Sequence, residues 1–122
     1  MAERVENAVR FIRSKYSLQP KIGLILGSGL GEYAEEMEEA YFIPYGDIPD
    51  FPVSTVDGHV GRFVLGYCMG KPTIMMQGRF HFYEGYKGED IALPIRVMKR
   101  LGVEILLITN AAGGIRETFK PG

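Results

Sequence analysis

Two short stretches hold most of the residues able to do chemistry in this chain of 122 residues. The first is Gly27-Ser28-Gly29-Leu30-Gly31, directly after the apolar run Ile22-Gly23-Leu24-Ile25-Leu26. Its glycines permit close backbone approach, the Ser28 hydroxyl can donate, and a helix amino terminus is expected to follow. Together these make an anion site. The same residues also describe a tight glycine turn with no ligand. A dinucleotide site is discounted, because its fingerprint is Gly-x-Gly-x-x-Gly and the spacing here is Gly-x-Gly-x-Gly. Asp47, twenty residues after Gly27, falls in a proline-rich stretch rather than at the end of a second strand.

The second stretch is Gln77-Gly78-Arg79-Phe80-His81-Phe82-Tyr83-Glu84-Gly85. The Arg79 guanidinium can bind two phosphate oxygens as a fork, which neutralises charge and fixes orientation together. His81 adds a donor, and Tyr83 offers a hydroxyl and a flat apolar face suited to a sugar. In an extended segment these alternate positions point the same way. The competing reading is an exposed loop with a surface ion pair from Arg79 to Glu84.

Other candidates are weaker alone. His59, in Asp57-Gly58-His59-Val60-Gly61-Arg62, is the only other histidine, and a lone histidine is more often structural. Asn110-Ala111-Ala112-Gly113-Gly114 reads either as a plain turn or as tightly turned amides, that of Ala111 included, lining an anion pocket. No metal site is expected, since two histidines lack acidic or cysteine partners at ligand spacing. Cys68 is the single cysteine, which excludes an internal disulfide and fits a reducing, cytoplasmic setting. No activating partner for its thiol is evident, so its role is read as structural.

These residues need elements to position them. Val5, Ala8, Val9 and Ile12 recur at helical spacing and predict a first helix that ends before Gln19-Pro20. Residues 22–26 predict a fully buried strand. Leu30, Tyr33, Ala34 and Met37 predict a second helix, with Glu32, Glu35, Glu36, Glu38 and Glu39 as its solvated face. Pro44, Pro49 and Pro52 leave 41–61 irregular. Phe63, Leu65 and Tyr67, then Thr73-Ile74-Met75-Met76, predict a hairpin turning at Met69-Gly70-Lys71.

A third helix is expected from near Asp90, with Ile91, Ile95, Met98 and Leu101 on one face. Pro94 is placed in its first turn and Gly102 at its stop. Glu104–Thr109 closes the series as a strand. Helices on either side of a hairpin give an α/β fold, a mixed β-sheet flanked by helices, in one domain over residues 1–122. Loops 27–31, 77–85 and 110–114 would then leave carboxyl ends of strands, where ligands collect in open α/β sheets.

Composition narrows the function classes. Fourteen basic and fifteen acidic residues give a net charge of -1, without the basic excess expected of a nucleic-acid binder. The longest apolar stretch, around Ile105 to Ile108, is far short of the roughly 20 residues that span a bilayer. The amino terminus, Met-Ala-Glu-Arg-Val-Glu, lacks the apolar core of a secretory signal.

Four segments taken together, in this order, resemble the trimeric purine nucleoside phosphorylases: Gly27–Gly31, Phe51–Gly61, Gln77–Gly85 and Thr109–Gly114. The His-Phe-Tyr-Glu-Gly loop favours this branch over the methylthioadenosine phosphorylases, which share fold and reaction. The resemblance implies reversible phosphorolysis of purine nucleosides to free purine and pentose 1-phosphate. It assigns Ser28, His59, Arg79, His81 and the amide of Ala111 to phosphate, and Tyr83 and His59 to ribose. Asn110 would shape the floor of the site, and His81 and Asn110 would be its catalytic groups. Phosphate and a purine nucleoside are the implied partners, with a homo-oligomeric assembly and no cofactor.

Family members continue well beyond Gly122, and the groups that grip the purine have no counterpart here. The chain is therefore expected to be a fragment or one piece of a split enzyme, catalytically incomplete alone or a non-catalytic phosphate-binding scaffold. An unpaired edge after the 104–109 strand is expected to drive self-association.

Overall fold

The computed structural model describes residues 2–26, 31–51, 61–77, 88–110 and 114–119. Its elements run, in chain order, α1 (Ala2–Lys15), β1 (Ile22–Ile25), a 3₁₀ helix (Gly31–Glu36), β2 (Glu38–Pro44), a 3₁₀ turn (Tyr45–Asp47), β3 (Arg62–Cys68), β4 (Lys71–Gln77), α2 (Gly88–Leu101), β5 (Ile105–Asn110) and β6 (Gly114–Phe119). The sheet order is β2-β3-β4-β1-β5-β6. It is the mixed, helix-flanked sheet the sequence implies. Strand β1 lies parallel between β4 and β5, while the β2–β3, β3–β4 and β5–β6 pairs are antiparallel.

Helix α1 forms where apolar periodicity demands it, and Val5, Ala8, Val9 and Ile12 are all buried. They join Leu93, Val97, Met98 and Leu101 of α2 against Ile25, Phe63, Leu65, Ile74, Met76 and Leu106 from one face of the sheet. Burial of this apolar surface is the main favourable term in the fold. At its carboxyl end α2 closes in a Schellman arrangement. The Gly102 amide donates to Lys99 O and the Val103 amide to Met98 O, with Gly102 at φ 123°.

The hairpin forms where expected. Strand β3 pairs with β4 from Arg62 opposite Gln77 to Cys68 opposite Lys71. Met69 and Gly70 turn between them at φ 54° and 81°, the positive angles that match the twist of a two-residue hairpin.

Several expectations need correction. Leu30 and the side chain of Tyr33 lie outside the described residues, and the second helix is only the 3₁₀ segment Gly31–Glu36. Glu38 and Glu39 belong instead to β2, so the acidic run is not one solvated helical face. Strand β2 itself occupies part of the stretch read as irregular. Tyr41, Phe42 and Ile43 are good strand formers, and β3 supplies them with an antiparallel partner. The helical stripe of α2 is borne out in part: Met98 and Leu101 are buried, and the Ile91 side chain lies outside the described residues. Leu93 and Val97 are buried while Ile95 is only partly covered.

Pro94 lies inside α2 rather than in its first turn. It therefore removes one backbone hydrogen bond from the helix interior. Strand β1 is not buried on both sides: Gly23 and Ile25 are buried, but Ile22 and Leu24 are only half covered. The face away from α1 and α2 carries a smaller cluster of Leu26, Val64 and Met75, covered by Ala34 of the 3₁₀ segment and by Met37 just after it. Finally, β5 does not end in an unpaired edge. Strand β6 folds back along it, with Leu106 opposite Phe119, and satisfies its outward backbone groups. Among the described residues no helix is long and apolar enough to cross a membrane.

Candidate functional site

The points at which the four motif segments join the sheet lie at one end of it. Ile25 of β1 is level with Met76 of β4 on one side and Ile108 of β5 on the other. The Leu26 amide donates to Met76 O at 3.1 Å, so the register holds to the last residue before the glycine loop. Residues 27–30, 78–87 and 111–113 therefore leave from the carboxyl ends of three adjacent parallel strands. Because β3 runs antiparallel to β4, its first residue, Arg62, stands opposite Gln77 at this same end. The segment 52–60, which carries His59, is attached there through Gly61 and Arg62.

Phe51, the residue before that segment, is packed in the core. Tyr45, Phe51 and Phe63 form an aromatic cluster with ring centroids 5.2 to 5.6 Å apart. Such tilted and edge-on contacts are the favoured ring geometries. The Tyr45 amide donates to Gly61 O at 3.1 Å, which ties this cluster to the residue that follows the segment. Burial pushes the Tyr45 phenol well above its ordinary value, so it stays neutral at physiological pH.

Of the predicted site residues, Ser28, His59, Arg79, His81, Tyr83 and Ala111 lie outside the described residues. Asn110 is described in its backbone, as the last residue of β5, paired in register with Gly114 of β6. Cys68 ends β3 and packs, partly buried, beside the smaller cluster.

One polar group at this end was not singled out from the sequence. Arg62 Nε donates to Gln77 Oε1 at 2.5 Å, and Gln77 Nε2 donates to Glu35 Oε2 at 3.3 Å. An Arg62 guanidinium nitrogen lies 3.8 Å from the same Glu35 oxygen, and the guanidinium rests 4.3 Å from the centroid of the Phe42 ring. Arg62 and Gln77 both sit inside quoted motif stretches, but only their motif neighbours carried obvious chemistry. Their pairing depends on strand register, which no single segment reveals.

Residues 21–122 match the phosphorylase superfamily. Purine nucleoside phosphorylase 1 of Geobacillus stearothermophilus is 57% identical over 118 residues, covering 97% of this chain and 43% of that protein. Purine nucleoside phosphorylase 1 of Bacillus subtilis is also 57% identical, over 100% of this chain and 45% of the relative. This chain thus spans under half the length of these relatives. Among solved structures, isoform 2 of purine nucleoside phosphorylase from Schistosoma mansoni, in complex with cytosine and ribose-1-phosphate, superposes with a TM-score of 0.85 at 55% identity. That match covers 92% of this chain and 39% of the other.

Proposed function

The chain belongs to the phosphorylase superfamily, and from that premise we propose that it carries most of the phosphate site of an enzyme for reversible phosphorolysis of purine nucleosides. The observation that carries this reading is the parallel alignment of β4, β1 and β5, with Ile25 level with Met76 and Ile108, which gathers the attachment points of the glycine loop, the Arg79 loop and the Asn110 turn at one end of the sheet. Similarity to purine nucleoside phosphorylases at 57% identity supports the same chemistry.

In this reading Ser28, Arg79, His81, His59 and the Ala111 amide hold phosphate, and Tyr83 with His59 meets the ribose. Phosphate attacks the anomeric carbon as the bond from that carbon to the purine nitrogen breaks. The bonding pair leaves with the purine, and pentose 1-phosphate forms. Positive charge builds on the sugar meanwhile, so a phosphate dianion held in line both stabilises that charge and acts as nucleophile. Positioning and preorganised electrostatics supply the rate in such a scheme, with Asn110 and His81 as the catalytic groups. No redox cofactor is needed for this bond exchange. A homo-oligomer in a reducing, cytoplasmic compartment is part of the same reading.

A second reading is that the chain binds phosphate as a scaffold, without turnover. Calorimetric titration of phosphate into the chain, with inosine phosphorolysis assayed in parallel, separates the two. Saturable binding lost in Arg79→Ala supports the phosphate assignment, and its absence in the parent chain overturns it. Turnover of inosine by the chain alone rejects the scaffold reading.

A further inference from the structure

Glu35, Arg62 and Gln77 stand at the roots of three different motif segments. Glu35 lies in the 3₁₀ helix that begins at Gly31, directly after residues 27–30. Arg62 opens β3 directly after Gly61 and the segment 52–60, and Gln77 closes β4 directly before residues 78–87. We propose that this trio is a clamp of positioning residues, which fixes the mutual placement of the described points from which the segments bearing Ser28, His59 and Arg79 leave the sheet.

The chemistry suits a clamp better than a ligand site. Arg62 uses Nε on Gln77 and turns its fork toward Glu35, while Gln77 also donates to Glu35, so the three close a ring of contacts. The planar guanidinium is a preorganised donor and loses little freedom per hydrogen bond. Phe42, against one face of that plane, fixes its tilt. The parts beneath are packed and paired. Ala34 and Met37, either side of Glu35, are buried against Leu26, Val64 and Met75. Arg62 and Gln77 are register partners across β3 and β4. With the Glu35 side chain 58% exposed, the clamp adds little to global stability. Its effect falls on the relative placement of its neighbours.

The proposal rests on the phosphate reading for its functional meaning, and the experiment keeps the two apart. Amide resonances of Ser28, His59 and Arg79 are recorded in the phosphate-free chain for the parent, Glu35→Gln, Arg62→Lys and, as a remote control, Glu104→Gln. Glu104 pairs with Lys21 beyond the opposite ends of the strands. The clamp requires Glu35→Gln to move all three resonances and Glu104→Gln to move none. Shifts confined to the neighbours of residue 35, or equal shifts from the control, overturn it.

Inorganic phosphate is then titrated into the same proteins. Weakening of about three- to tenfold in Glu35→Gln, with the melting transition nearly unchanged, supports positioning. A parent chain that binds no phosphate while its resonances respond as required refutes the phosphate reading and leaves the clamp standing.

Discussion

Tyr45 and Phe63 meet edge to face with ring centroids 5.2 Å apart, and both rings are almost wholly shielded from water. This contact is part of the aromatic cluster that includes Phe51, the residue before the segment carrying His59, and that is tied to Gly61, the residue after it. Burial of Tyr45 is also expected to make the fold sensitive to alkali. Burial raises the Tyr45 phenol above its unfolded value of about 10. A group raised in the folded state contributes fully below its unfolded pKa and loses that contribution as pH rises toward the folded one. Tyr45→Phe removes the group without removing the ring. Urea unfolding at about pH 9 and about pH 11 is expected to show a larger loss of stability in the parent than in the variant. Equal losses would mean that ionisation of Tyr45 is not coupled to folding.

Gly66 marks a close approach between two strands. A Cβ there would lie 2.8 Å from Glu38 O and 3.2 Å from Ala40 Cα, beside the irregular register between Glu38 and Tyr41. Backbone cannot yield as a flexible side chain would. Gly66→Ala is expected to cost about 1–3 kcal/mol, read as a lower denaturation midpoint, with loss of amide protection concentrated in β2. Unchanged protection there is the contrary result.

Leu93 is completely buried between α2 and the main cluster. Truncation to Ala removes apolar contacts and leaves a cavity, a loss of about 2–5 kcal/mol. That is a large share of the total stability of an ordinary domain, about 5–15 kcal/mol. Chemical denaturation of Leu93→Ala beside Ile95→Ala gives the comparison, since Ile95 is only partly covered. The smaller effect belongs to Ile95.

Arg79→Lys keeps a positive charge but loses the fork. If phosphate is held bidentately, affinity falls by about tenfold although net charge is unchanged. Titration at two salt concentrations distinguishes this from simple attraction. Lys and Arg proteins with equal affinity and equal salt dependence would show that only charge matters at this position.

The elements that were legible in the sequence are those whose signal is local. Val5, Ala8, Val9 and Ile12 announce α1 by spacing alone, and Met69-Gly70 between two apolar runs announces the hairpin. Strand β2 was not legible, because Pro44 and the nearby glycines and prolines outweighed Tyr41, Phe42 and Ile43, whose partner lies some twenty residues further on. The boundary of the acidic run was hidden for a related reason. Glu35 and Glu38 look alike in sequence, and only the strand partner Tyr67 separates helix from strand. Pro94 was drawn toward a helix start that lies at Gly88 instead.

For the candidate site, the residue types named the chemistry, and the sheet supplies what they could not, namely that their attachment points share one end. The Arg62–Gln77–Glu35 trio has no local signature in the sequence, because it exists only once β3 and β4 are in register.

The place of β1 in the middle of the sheet has a consequence for synthesis on the ribosome. Its partners are β4, at Lys71–Gln77, and β5, at Ile105–Asn110. At about 5–20 residues per second, Ile25 emerges several seconds or more before Ile108. Through that interval the central strand has no lateral neighbour on one side, while the β3–β4 hairpin, with its local contacts, forms as soon as it is clear of the tunnel. The apolar run Ile22–Leu26 is thus exposed to chaperones and to neighbouring nascent chains until the α2–β5 stretch has been translated. Slowing elongation over residues 78–104 would lengthen that exposure and lower the yield of folded protein without altering a single residue.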